Sequence, residues 1–182
     1  MENSRITVTG LAHVGLSTAI TCILGPIAVV LPFSPVPISF GLLAVFLSTC
    51  ILTAKSGLLS CLIYLLLGFI GLPVFSHFQG GAGVLLGPTG GYLLGYLFIP
   101  LCVPLFYRKD NPLKRILPGM LLGLILCYIC GTLLLMHQTR IPFKEAVLVG
   151  TLPYIPIDII KLCIAYITAK AVRKRLRKAG LV

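Results

Sequence analysis

With 182 residues, 58% hydrophobic and 10% charged, and a mean hydropathy of +1.06, the chain is far more apolar than a soluble globular domain. Its apolar runs are long enough to cross a bilayer, which makes it a polytopic membrane protein, and the length leaves no room for a sizeable aqueous domain beside one compact bundle. The net charge of +11 finds its explanation in membrane topology and calls for no nucleic acid.

In chain order, six windows have the roughly 17 to 26 residues that a ~30 Å hydrocarbon core requires of a helix. They run approximately from Val8 to Leu31, Ile38 to Ala54, Gly57 to Val74, Val84 to Tyr107, Ile116 to Met136 and Ala146 to Ala171. The expected fold is an all-α integral membrane protein of six transmembrane helices in a single domain, residues 1–182. Arg5 ahead of the first window imitates a secretory signal, but the window is long for an h-region and no small-x-small cleavage site follows it. Lys55 and Ser56 alone separate the second and third windows, which demands a tight antiparallel hairpin.

Charge sets the expected orientation. With the N-terminus cytoplasmic, the cytoplasmic segments hold Arg5, Lys55, Arg108, Lys109, Lys114, Arg115, Lys170, Arg173, Lys174, Arg175, Arg177 and Lys178, twelve of the fifteen basic residues. The outer loops hold Arg140 and Lys144, and the fifteenth, Lys161, lies inside the membrane. This bias follows the positive-inside rule with both termini cytoplasmic, and the basic C-terminal run reads as a topology anchor touching anionic lipid.

Little here supports catalysis. No phosphate loop and no H-E-x-x-H occurs, and of the four acids Glu2, Asp110 and Glu145 fall in aqueous segments. Paired-carboxylate or Ser-His-Asp chemistry at membrane depth therefore lacks its parts. The seven cysteines all sit in apolar windows, and the Cys127-x-x-Cys130 pair has neither a second pair nor a nearby histidine at ligand spacing, so packing is preferred over metal or redox roles. A self-sufficient transporter or channel and an intramembrane enzyme remain alternatives to a binding component.

Asp158, the fourth acid, has Lys161 three residues on, so both project from one helix face in an otherwise apolar stretch. Burying them costs several kcal/mol unless they are paired, hydrated or liganded, so they face the bundle interior. Pro153 and Pro156 interrupt the helix just upstream, placing Asp158 near a fresh helix N-terminus, and a broken helix at membrane depth lines a cavity. About twelve residues, ~18 Å of helix, separate Asp158 from the basic end, which puts the pair in the outer half of the core. A substrate site and a structural ion pair both satisfy these facts.

Two further stretches converge on that outer side. The segment LPFSPVPISF, Leu31 to Phe40, has prolines at 32, 35 and 37 that forbid a continuous helix, and it offers Phe33. Between the third and fourth windows, glycines at 80, 81, 83, 87, 90 and 91 let backbone or ligand approach closely, and Phe75, His77, Phe78, Gln79 and Tyr92 can supply stacking and hydrogen bonds, although composition alone supports only a flexible loop. In the first window Gly10, Ala12, Gly15, Ser17 and Ala19 form a small-residue face suited to close helix packing, within the chain or with a partner.

In combination, LPFSPVPISFGLLAVFL, YLLLGFIGLPVF, GVLLGPTGGYLLGY and PYIPIDIIK resemble, in order and over nearly the whole chain, the segments of the BioY family, the biotin-binding substrate components of energy-coupling factor (ECF) transporters. The resemblance implies six helices with cytoplasmic termini in a bacterial plasma membrane. It also implies capture of biotin from outside, with uptake driven by a separate membrane scaffold and two ATPase subunits that use the ATP. Biotin contacts are then expected from Asp158, Lys161, Phe33, Phe75, His77, Gln79, Thr89, Gly90 and Tyr92, no cofactor is expected in this chain, and Ala12, Gly15 and Ala19 are expected to dock the scaffold. Where the family commonly has Pro-Gly-Asp, this chain has Pro156-Ile157-Asp158, a less permissive turn.

Overall fold

The computed structural model describes residues 8–52, 54–106 and 112–178; Glu2, Arg5, Arg108, Lys109 and Asp110, named above, lie outside the described residues. The described chain is mostly helical. In order come α1 (Val8–Leu24), a two-residue hairpin of β1 (Ala28–Val29) and β2 (Ile38–Ser39), then α2 (Gly41–Ile51), α3 (Ala54–Phe69), α4 (Ala82–Leu85), α5 (Gly90–Gly95), α6 (Phe98–Phe106), α7 (Pro112–Thr139), α8 (Phe143–Gly150) and α9 (Tyr154–Lys178).

The windows are helical, but several are shorter or more broken than expected. Gly25 and Pro26 end the first helix, and residues beyond them form β1, paired antiparallel as Ala28 with Ser39 and Val29 with Ile38. The fourth window divides into α5 and α6, and the sixth into α8 and α9, bent by 42° at Thr151 to Pro153. Among the described residues only Ile116–Thr139 is long and apolar enough to cross a membrane unbroken, with the bent pair a second such span if counted as one; the other apolar helices have 10 to 17 residues. Hydropathy averages over a break that the backbone does not ignore. Pro156 does not end α9, because it sits in the first turn, where its missing N–H has no helical partner to lose.

Burial explains why such short helices persist. Eight of the eleven residues of α2 are buried, and Phe46 packs in one core cluster with Tyr64, Phe75, Ile99, Met120 and Leu162. Each fully buried large side chain of this kind contributes roughly 1.5–3 kcal/mol, measured against water rather than lipid. The α5, α6 and α7 backbones approach closely through glycine: a β-carbon at Gly95 would stand 2.7 Å from Cys127 Cα, and one at Gly119 2.6 Å from Val103 Cα. A second, smaller cluster of Val36, Tyr92, Leu135, Ala146 and Tyr154 gathers where the β1–β2 loop meets the α8–α9 bend.

Candidate functional site

Asp158 lies on the second turn of α9 and Lys161 one turn later, so helical geometry alone brings Lys161 Nζ to 2.9 Å from Asp158 Oδ1. Both residues are buried, at 4% and 7% exposure, so the pair needs further partners. It has them. Lys161 Nζ also donates to the Ser39 carbonyl at 2.8 Å, and the Tyr128 hydroxyl of α7 donates to Asp158 Oδ2 at 2.8 Å. The β hairpin positions the Ser39 carbonyl, and the Ser39 hydroxyl in turn donates to Gly25 O at 3.1 Å and accepts from Gly41 N at 3.0 Å.

Around this cluster lies a small inner cavity of about 40 Å³, lined among others by Ser39, Tyr92, Tyr96, Tyr128, Tyr154 and Lys161. Val36, Pro37, Ser39, Tyr92 and Tyr96 also line a larger outer cavity of about 280 Å³, which continues toward Ser34, Phe75, His77, Gln79 and Thr89. The two share these lining residues, so the inner cavity beside the ion pair and the outer cavity among the loops lie against each other.

The roof is bolted down. Ser34 Oγ donates to Val149 O at 2.7 Å, and the Tyr154 hydroxyl lies within hydrogen-bond reach of Ser34 Oγ (2.7 Å) and the Val36 carbonyl, so the proline-rich loop is tied to the α8–α9 bend. Below it the Tyr92 ring fits against Gly131 and its hydroxyl against Gly150, where any β-carbon would overlap it. That hydroxyl is buried near the Thr132–Thr151 hydroxyl pair and has no hydrogen-bond partner among the described residues.

Of the residues expected at the site, Asp158, Lys161, Phe75, His77, Gln79, Thr89 and Tyr92 line one cavity or the other. Phe75 is fully buried and meets Tyr64 edge to face, with ring centroids 5.6 Å apart. His77 and Gln79 are exposed, and His77 (φ 60°) and Phe78 (φ 58°) hold left-handed backbone, a strained arrangement for two successive non-glycine residues that is pinned in part by His77 N donating to Pro26 O at 3.0 Å. Phe33 and Gly90 are not brought there. Phe33 is 60% exposed because it sits at the corner of a turn, closed by Ser34 N donating to Leu31 O at 3.2 Å, while Ser34 and Val36 beyond it are buried. Gly90 is a packing position, where a β-carbon would overlap the Leu85 backbone. Tyr128, Ser39, Tyr96 and Tyr154 were not anticipated, although a tyrosine at mid-span needs a polar partner and only one acid is available at that depth.

Comparison with known proteins bears on this arrangement. The model of the BioY family matches residues 1–178. The chain belongs to the BioY family. The biotin transporter BioY of Thermotoga maritima is 36% identical over 164 residues, 90% of this chain and 95% of that protein. The biotin transporter BioY2 of Lactococcus lactis subsp. cremoris is 32% identical over 179 residues, 97% of this chain and 95% of its own length. The crystal structure of the S component for biotin from an ECF-type ABC transporter superposes with a TM-score of 0.82 at 31% identity, covering 96% of this chain and 95% of that one. A second S component of a bacterial ECF transporter, at 20% identity and a TM-score of 0.59, shares the fold. Family membership makes this a membrane protein, and it agrees with the helical architecture described above.

Proposed function

We propose that the chain is the biotin-binding substrate component of an ECF transporter in a bacterial plasma membrane, a single six-span domain with both termini cytoplasmic. It captures biotin from outside and needs no cofactor of its own, while a membrane scaffold and two ATPase subunits supply the energy from ATP. The observation that carries this is the buried Asp158–Lys161–Tyr128 cluster lining an inner cavity that abuts a larger one among the loops. In keeping with it, the biotin transporters compared above align over nine-tenths of the chain or more.

The chemistry fits the ligand. A ureido ring presents two N–H donors and a carbonyl, a carboxylate accepts the first and an ammonium donates to the second, and both work best when shielded from water. Asp158 accepts from the ureido N–H groups, Lys161 donates to the ureido oxygen or holds the carboxylate in place, and Tyr128 fixes the rotamer of Asp158. The apolar bicycle and valeryl chain lie along Tyr92, Tyr96, Val36 and Phe75, and the ligand carboxylate points toward the exposed end near His77, Gln79 and Thr89. The inner cavity alone is too small for the bicycle, so entry requires the Ser34–Tyr154 tie to yield. Ala12, Gly15 and Ala19 form the docking face for the scaffold: they lie exposed on α1, and apart from its own stretch of helix no described atom would stand within 4 Å of a β-carbon at Gly15.

Two measurements test the proposal together. Purified chain alone should bind biotin, and cells expressing it should accumulate biotin only when scaffold and ATPase subunits are co-expressed. Uptake by the chain alone would instead mark a self-sufficient transporter.

A further inference from the structure

A third cavity is on the other side of α5 and α7 from the site. It is an open groove of about 760 Å³ lined by Leu58 and Leu62 of α3, by α5–α6 residues including Leu94, Leu97 and Leu101, and by Leu133, Leu134 and His137 of α7. Its origin is the close glycine contact described above: Gly91 and Gly95 press α5 onto Cys130 and Cys127 of α7, so α5 and α6 sit back between their neighbours and form the floor. Leu62, Leu94, Leu101 and Leu133 leave the walls open to whatever surrounds the chain, and in a membrane protein that is lipid.

We propose that this groove is a phospholipid site, holding one acyl chain along the leucines with the phosphate of that lipid at His137. The polar end supports this occupant. His137 is the one polar residue in the lining, it is exposed, and it lies two residues before the end of the membrane-length helix, at headgroup depth. Arg140, also exposed, follows three residues later, and of the four acids in the chain only Glu145 lies near this end in sequence. A phosphodiester at the mouth thus meets the imidazole, with a guanidinium three residues on in the chain and one carboxylate further along it. Gln138 Nε2, bonded to Leu86 O at 2.6 Å, ties the end of α7 to the α4–α5 connection and steadies the mouth.

A protein partner fits less well. The groove has eleven lining residues, against about 20–30 a side in a stable interface. Close helix docking uses small residues on an open face, and here the open walls are leucine.

The chain contains no tryptophan, so a single Leu133→Trp at the groove wall and, separately, Ile160→Trp on exposed α9 give two site-specific reporters. The experiment titrates each purified full-length variant in neutral detergent with phosphatidylglycerol brominated on its acyl chains, with brominated phosphatidylcholine as the second arm. At Leu133→Trp the quenching should saturate at a lipid concentration roughly tenfold below that at Ile160→Trp, and adding His137→Ala should remove roughly that factor, as expected for one hydrogen bond to a charged group. Equal response to both lipids assigns recognition to the phosphate they share, and preference for phosphatidylglycerol assigns it to net charge through Arg140; both support the site. Identical quenching of the two reporters would overturn it, as would no effect of His137→Ala. A lipid-independent dimer cross-linked through Leu94→Cys would also overturn it, by giving the groove to a second copy. Biotin affinity measured on the same samples controls for folding.

Discussion

The first turns of α9 and the outer face of α1 are opposite solutions to displaying chemistry in a membrane. At Asp158 every polar atom is spoken for: Oδ1 by Lys161, Oδ2 by Tyr128, and the ammonium again by Ser39 O. On α1 the inward side is satisfied in the same way, with the buried Thr18 hydroxyl donating to Val14 O at 2.9 Å and lying 3.1 Å from Ser60 Oγ on α3, whereas the outward side carries Ala12, Gly15 and Ala19, exposed among the described residues. A polar cluster in low dielectric gains specificity from being enclosed, while a small-residue face gains its use from being left open. If α1 docks the scaffold as proposed, capture and coupling are separable functions of one chain.

The largest effect should come from breaking that separation on the α1 side. Gly15→Trp and Ala19→Trp should abolish biotin uptake by cells carrying the full transporter, and scaffold should no longer co-purify. Biotin affinity should stay within about twofold, as expected for sites without shared partners. If both variants lose binding and fail to fold, the face packs within the chain after all.

Next in size is Lys161→Met. Leaving Asp158 buried without its counter-ion should cost about 3–5 kcal/mol of stability, read from thermal unfolding in detergent. Affinity for biotin should fall further than the stability loss of the apo protein accounts for. Parallel losses in the two readouts would make the pair structural alone.

Much of this was legible from residue types and spacing. Asp158 and Lys161 stood out because charge at membrane depth is costly, and their i, i+3 spacing already placed them on one face. The windows located the helical mass but not its breaks, since a glycine or proline barely alters mean hydropathy while it redirects the backbone, as at Gly25–Pro26 and at Thr151–Pro153. The loop residues were harder. Phe33 is an aromatic in a proline-rich loop, yet it stands at the corner of a turn while Ser34 and Val36 are buried, an arrangement that side-chain chemistry alone does not reveal. Tyr128 was hidden in an apolar span, where its ring looks like any packing residue until its hydroxyl has to be satisfied.

Tyr128→Phe sharpens the comparison from the enclosed side. It removes one hydrogen bond to a charged group, worth about 1.5–3 kcal/mol and already made without ligand, so the thermal midpoint should fall by several degrees, and biotin affinity should drop roughly tenfold or more. An unchanged affinity would mean that the ligand takes the place of the tyrosine hydroxyl on Asp158. The smallest effect belongs to Phe33→Ala, which should alter affinity by less than about twofold, as expected of an exposed residue outside the cavity; a larger loss, seen by titration, would bring the loop down onto the ligand.

The most direct test of the central claim is the biotin affinity of purified Asp158→Asn beside that of the unaltered chain, by isothermal titration, with unfolding followed on the same samples. Asparagine keeps the shape but loses the charge-assisted acceptor and leaves Lys161 without its counter-ion. The account predicts at least a roughly tenfold weaker affinity in a protein that remains folded, the lower end of what a hydrogen bond to a charged group contributes. Unaltered affinity in a well-folded Asp158→Asn protein would contradict it and reduce the Asp158–Lys161 pair to a tie between α9 and its neighbours.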